Sequence, residues 1–269
     1  VTNLSPDGFF HYVNNVVGTS IVVTPETAQT LNAVYACVNL ITETSTLVSP
    51  KIYRHDLIGK VQVNNHDQTP LLTRSANENT SSIEFEKNWI AAYLLYGNGY
   101  GEIERYARTA RPNKYINIKN EYVQKVIIDN GVKKYIVKEP GKEARVIKSE
   151  NMLHLCDLSM GDLVGMSRIS QNRGTLKEAG IIREYSNDMF ENGSNINGYI
   201  YNDKAAAGPE ALELIRKSKN NKKGTSILPH GFRYEQLRYN LALADAQTIE
   251  AKKLSTEDIA RIFRTPLSL

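Results

Sequence analysis

Residues 168–190 read RISQNRGTLKEAGIIREYSNDMF, followed by Glu191-Asn192-Gly193, and they make the longest helical pattern in the chain. Leu176, Ala179, Ile182 and Met189 fall on one stripe; Arg173, Lys177, Glu184, Asp188 and Glu191 mark another, at steps of three and four. Gly193 suits the left-handed position just past a helix end, so the spacing predicts a helix over 169–192. The charged stripe runs from basic to acidic, against the order a helix dipole favours, so helix stability does not account for it. Downstream come an insert over 193–240 and a second helical pattern over 241–263. Two helices bracketing a small β-rich excursion frame the rest of the chain.

The insert holds the charge. Between residues 193 and 240 stand eight basic residues, Lys204, Arg216, Lys217, Lys219, Lys222, Lys223, Arg233 and Arg238. Four acids oppose them, Asp203, Glu210, Glu213 and Glu235. The excess of four equals the net charge of the whole 269-residue chain, so the remainder is neutral. Within the insert the pattern predicts a strand over 198–201, a helix over 208–219 and strands over 225–228 and 231–239.

Upstream the pattern is mixed α and β. Thr24-Pro25-Glu26 reads as a helix start, and the helix expected over 28–46 carries Leu31, Val34, Tyr35, Val38, Ile41 and Leu47 at helical spacing. A hairpin around Gly59 follows (51–54 with 57–65), then a loop over 66–80. Ser81 or Ser82 caps a helix over 83–96 that holds the single tryptophan, Trp89, as a core anchor. Gly97-x-Gly99-x-Gly101 sits between a helix and a strand, the reverse of the strand–glycine–helix order that aims a helix N-terminus at phosphate. In the strand over 100–106, Ile103 alternates with outward-facing Glu102 and Glu104. From 114 to 155 the pattern is β, with Asn130-Gly131 and Pro140-Gly141 as turns.

Several chemistries find no support. No apolar run approaches the ~18–20 residues of a membrane span. Cys37 and Cys156 stand far apart in apolar surroundings and read as buried, reduced thiols, and five scattered histidines suggest no metal site. Nothing asks for a cofactor. One spacing resembles catalysis: Asp245…Glu250-x-Lys252, the acid, acid-x-lysine order of metal-dependent nucleases. In such enzymes the second part lies on a strand, whereas 246–253 is helical and reads as a solvated charged face. Ser255 with Asp258 reads as a capping box restarting this last helix.

Several stretches together, in this order, resemble the portal proteins of tailed bacteriophages, of the HK97-type capsid lineage found in siphophages. They are AVYACVNLITE (33–43), LLYGNGYGEI (94–103), LVGMS (163–167), FENG (190–193) and LSTEDIARIF (254–263) with Pro266. The resemblance covers residue 28 to the end. It implies an α+β portal fold with an α/β wing (1–168), a first stem helix (169–192) and a small inserted α/β clip (193–240). A second stem helix and the start of a tunnel region follow over 241–269. It further implies a homo-oligomer, a dodecameric ring at one capsid vertex of the virion, assembled in the host cytoplasm. Double-stranded DNA passes through such a ring without sequence specificity. The terminase large subunit, a neck adaptor and the major capsid protein are the implied partners; catalysis, cofactor and membrane are not. Arg173, Lys177, Glu184 and Asp188 are then expected to line the channel, and Arg216, Lys217, Lys219, Lys222 and Lys223 to dock a partner. Two departures stand out. Arg168 occupies a position where many members carry proline, and the family continues past Thr265-Pro266-Leu267, so the sequence is expected to be a piece of a longer chain. Outside this family, a metal-dependent nucleic-acid-processing enzyme using Asp245, Glu250 and Lys252, or a soluble α/β binding protein with a basic insert, are the alternatives.

Overall fold

A computed structural model describes residues 21–57, 59–191, 198–202, 213, 232–236 and 241–266. The chain divides into two units, one of Val22–Ala179 with Leu254–Leu269, the other of Val1–Ile21 with Gly180–Lys253.

The first unit opens with α1 (Pro25–Ala28), started by Thr24 as the sequence suggests: its hydroxyl accepts from the Thr27 N–H at 3.2 Å. The expected continuous helix is interrupted. Gln29 ends α1 and Leu31 is extended, turning its side chain into the core before α2 (Asn32–Thr46) begins. Val34, Cys37 and Val38 point inward from α2, whereas Tyr35 and Leu47 stay in solvent. A hairpin of β1 (Tyr53–Asp56) and β2 (Gly59–Gln62) follows, then the short α3 (Thr69–Thr73) where a loop was expected. Ser81 caps α4 (Ser82–Tyr96), its hydroxyl accepting from the Glu84 N–H at 3.1 Å.

Gly97 ends α4 in the left-handed conformation, and the chain enters β3 (Asn98–Arg105) at once. β3 is the middle strand of an antiparallel sheet, between β4 (Pro112–Ile118) and β8 (Met152–Cys156). α4 packs on β3 so closely that a Cβ at Gly99 would lie 2.4 Å from the Trp89 carbonyl. The glycines serve helix–sheet contact. A second antiparallel sheet orders β5 (Val123–Asp129), β6 (Val132–Val137) and β7 (Arg145–Lys148), with Asn130 and Gly131 both at positive φ in the expected turn.

Glu102 corrects the alternation reading. It is 7% exposed, and Arg145 of β7 clamps it, Nη1 donating to Oε1 and Nη2 to Oε2 at 2.6 Å. The same guanidinium donates to Glu139 at 2.8 Å, so one arginine ties the two sheets. Cys156 is a second correction: it is exposed at the last residue of β8, while Cys37 is buried as expected.

After a loop come α5 (Arg168–Gln171) and α6 (Arg173–Glu191). The last helix, α7 (Leu241–Phe263), shows no break at Ser255, so the expected restart is absent: an isolated serine costs too little helix propensity to stop a run flanked by leucine and lysine. Ile259, Ala260 and Phe263 of α7 join Val34, Leu94, Ile169, Leu176 and Ala179 in the main core of the first unit. In the second unit, β9 (Gly198–Asn202) pairs antiparallel with β10 (Phe232–Gln236), the two outer strands expected in the insert. The helix expected over 208–219 and the strand over 225–228 lie outside the described residues, apart from Glu213.

Candidate functional site

The sequence nominates the charged stripe of α6. Leu176 is 1% exposed, Ala179 is buried and Ile182 is half-buried, so the described members of the expected apolar stripe are shielded from solvent. Arg173 and Lys177 lie in solvent; Glu184 is half-buried and engaged. Asp188 lies on the same helix, but its side chain, like that of Met189, is outside the described residues. Sequence reasoning missed Ile181 and Tyr185. These stand four residues apart, 48% and 53% exposed, and form an apolar strip on α6. They were readable, since each is one step from a residue already assigned.

The helix expected to run unbroken from 169 splits at Asn172. Its side-chain amide donates to the Arg168 carbonyl at 2.8 Å, a local bond that competes with helix propagation. The turn before it is mounted firmly. Ser167 caps α5, accepting from the Ser170 N–H at 3.2 Å and donating to the Leu95 carbonyl at 2.7 Å. Arg168 takes the first helical position. Its Nε donates to Asp157 at 2.5 Å, Nη2 to the Tyr93 hydroxyl at 3.1 Å, and its guanidinium lies 5.4 Å from the Tyr93 ring centre. Burial pushes the Asp157 carboxyl up, but the Arg168 bond and charge outweigh it and hold it below its ordinary value. Burial likewise works against the charged Arg168, and Asp157 reverses that. A proline here would supply only the preset φ of a helix start; this chain uses a partly buried ion pair.

A second joint sits behind it. Asn98 donates Nδ2–H to the Gly165 carbonyl at 2.8 Å, and its Oδ1 accepts from the Gly165 N–H at 2.7 Å. Those backbone partners fix the amide orientation, so His154 Nε2, 3.0 Å from the same oxygen, must carry the proton. His154 Nδ1 then accepts, with the Lys133 ammonium at 3.1 Å and the Tyr135 hydroxyl at 3.2 Å. Its ring stacks on Tyr100 with centres 4.6 Å apart. Burial first, and the Lys133 charge second, push this imidazole down to about 4. Lys133 also donates to the Leu163 carbonyl at 2.8 Å. The loop between β8 and α5 is thus pinned at residues 157, 163, 165 and 167, and α6 departs from a rigid base. Apart from the Ser167 cap, the partners of these bonds are distant in sequence, and no local spacing signals them.

The nuclease spacing is described only in part. Lys252 donates to the Ser186 hydroxyl of α6 at 2.5 Å, within the second unit, and so ties α7 to α6. Glu250 is exposed, and the Asp245 side chain lies outside the described residues. Among the described residues no group of three His, Cys, Asp or Glu side chains is placed to hold a metal ion, and no helix is long and apolar enough to cross a membrane. Arg216, Lys217, Lys219, Lys222 and Lys223 lie outside the described residues.

Comparison with known proteins gives this geometry a family. The chain is 21% identical over 276 residues to the probable portal protein of Streptomyces phage phiC31, with 97% of this chain aligned to 59% of that protein. It therefore spans about three-fifths of that relative's length. Its fold matches an HK97 family phage portal protein from Corynebacterium diphtheriae with a TM-score of 0.65 at 13% identity, covering 92% of this chain and 78% of that one. A chain from the neck of a native gene transfer agent particle computed with C12 symmetry matches with a TM-score of 0.57 at 20% identity, covering 92% and 71%. The family model described as phage portal protein matches residues 32–269, and the chain belongs to that family.

Proposed function

We propose that this chain is the subunit of a ring-shaped head-to-tail connector, at the portal vertex of a virion, through which double-stranded DNA is packaged and ejected. It acts by shape and charge, not as a catalyst. Residues 1–168 then form the wing, 169–192 and 241–269 the stem and the start of the tunnel region, and 193–240 the clip. Arg173, Lys177, Glu184 and Asp188 face the channel. The basic run of Arg216, Lys217, Lys219, Lys222 and Lys223 docks the terminase large subunit or a neck adaptor; the major capsid protein surrounds the ring. Assembly takes place in the host cytoplasm.

The observation that carries the reading is the split of α6. Leu176 and Ala179 are buried, while Arg173 and Lys177 stay in solvent within a helix whose charges nearly cancel: three bases and four acids over 169–191. Each phosphate that a channel neutralises adds salt-dependent affinity, and a conduit for sliding DNA gains from not accumulating such contacts. Sequence readout is unnecessary, because packaged DNA presents every sequence.

Light scattering coupled to gel filtration, with particle imaging, tests the proposal. The expected result is a closed ring with a central hole; a strict monomer of the full chain at high concentration overturns it. In the docking assay, Lys222→Glu with Lys223→Glu is expected to weaken motor binding while rings persist. Unchanged packaging by that variant removes the clip assignment alone.

A further inference from the structure

α6 carries an apolar strip open to solvent. Ile181 and Tyr185, 48% and 53% exposed, are its exposed large apolar side chains among the described residues. They stand four residues apart, on one face and about 6 Å along the axis. The position beside them is occupied. Gly180 is buried, and a Cβ there would lie 3.1 Å from Ile21 Cδ1 and 3.4 Å from its Cγ2. Ile21, Gly180, Ile181 and Tyr185 all belong to the same unit. Glycine weakens a helix interior, but here its missing side chain leaves a notch that Ile21 fills.

Ile21 is the first of the described residues, and the sequence before it has an apolar face to bury. Ser5-Pro6-Asp7 repeats the hydroxyl, proline, acid order that starts α1, and Gly18 suits the position just past a helix end. Between them Phe9, Tyr12, Val13, Val16 and Val17 fall at i, i+3, i+4, i+7 and i+8, the spacing of one helix face. Asp7, His11, Asn14 and Asn15 take the opposite side. A helical pattern of about twelve residues is marginal in water by itself, so this face needs a surface.

The tether at Ile21 selects that surface. Val17 is four residues from Ile21, at most about 14 Å of extended chain. Ile181 and Tyr185 lie about 1.5 Å and about 7.5 Å past Gly180 along the axis of α6, both within that reach. Val13 and Val17 are also four residues apart, so two pairs of matching spacing can face each other at once. We infer that residues 6–17 are an amphipathic strap lying antiparallel on α6 of the same chain, Val17 over Ile181 and Val13 over Tyr185. The Ile21 contact holds the segment at high effective concentration beside its own α6, ahead of any second copy. Residues 1–20 hold one acid, Asp7, and no lysine or arginine, so the contact is apolar and persists at high salt. It lies within one chain and stands whether or not copies assemble.

The test uses the full chain with Cys156→Ser, which removes the exposed thiol and leaves Cys37 buried. In that background Ile181→Cys is expected to react slowly with a thiol reagent, at low and high salt alike. Adding Val13→Asp with Val17→Asp is expected to speed the reaction at least about tenfold. Cys37 should stay unreactive in both chains, which reports an intact core. Independently of the aspartate variant, Val17→Cys with Ile181→Cys in one chain is expected to form an intrachain disulfide on oxidation. Chains carrying one of these cysteines each, mixed and oxidised, are expected to stay separate. Equal reactivity with and without the aspartates, or no disulfide in the double-cysteine chain, overturns the strap and leaves Ile181 and Tyr185 free to line a bore. Joining of the mixed chains places the segment on a second copy and overturns the contact within one chain.

Discussion

Arg168 shows how one side chain can replace a backbone device. Ser167 before it has φ −67° and ψ 127°, a conformation that suits a residue preceding proline, so the backbone would accept a proline there. What proline cannot supply is a partner for Asp157, whose side chain is as shielded as the arginine's, each about 18% exposed. Arg168→Ala should therefore destabilise the chain by about 1–3 kcal/mol, chiefly by stranding that carboxylate. Adding Asp157→Asn should recover most of the loss, as read by thermal or urea unfolding; a double variant no better than the single would show that packing on Tyr93 matters more. His154 sets a pH dependence at the same scale. Its pKa is about 4 when folded against an ordinary ~6.5, so below pH ~6.5 the unfolded chain takes up a proton that the folded chain refuses. Stability should be independent of this group above that pH and fall as pH drops from about 6.5 toward about 4, a slope that His154→Gln flattens in thermal melts. Neither residue was legible in advance. Arg168 and Asp157 lie eleven positions apart with no periodic relation, and Glu102 was misassigned because strand alternation cannot see the arginine that makes a buried carboxylate tolerable.

At the scale of elements, local chemistry was read well wherever it decides the structure. Thr24, Ser81 and the Asn130-Gly131 turn act through neighbours within a few residues, and each does what its sequence says. The failures occur where distant packing overrides a locally helical pattern. Leu31 leaves the helix to fill the core between α1 and α2, and Asn172 breaks the run before α6. Gly97 joins the two kinds of information. It ends α4 as sequence suggests, at φ +77°, but a Cβ there would also lie 2.3 Å from the Met166 carbonyl in the loop that mounts α5. Gly97→Ala carries both penalties and should cost more than about 2 kcal/mol. Gly131→Ala meets only the positive φ, with open space around it, and should cost about 1 kcal/mol. Equal losses in urea unfolding would mean that the loop yields at Met166, and that α5 is held less rigidly than its bonds imply.

For the whole molecule, the division of charge carries the argument furthest. The insert over 193–240 accounts for the entire net charge, and the helix that precedes it is close to neutral, with bases first and acids last. If this helix lines the bore as proposed, that order would become, in a ring of identical copies, successive bands of opposite sign, an attractive band followed by a repulsive one, and neither end would retain a phosphate backbone for long. On that proposal Arg173 and Lys177 would make the attractive band. Both are solvated, and the one contact described for either is a 3.5 Å bond from Arg173 to the Ser170 hydroxyl. Replacing both with glutamate should therefore leave ring assembly and thermal stability unchanged within about 0.5 kcal/mol. The effect should appear in DNA translocation. Because each lost phosphate contact removes part of the counter-ion release, the double variant should hold duplex DNA less tightly at low salt and show a shallower dependence of retention on salt. Assembled rings assayed for packaging across a salt series provide the measurement. A variant that packages and responds to salt as the wild type does would leave the stripe as ordinary solvated surface and move the search for the channel face to Ile181 and Tyr185.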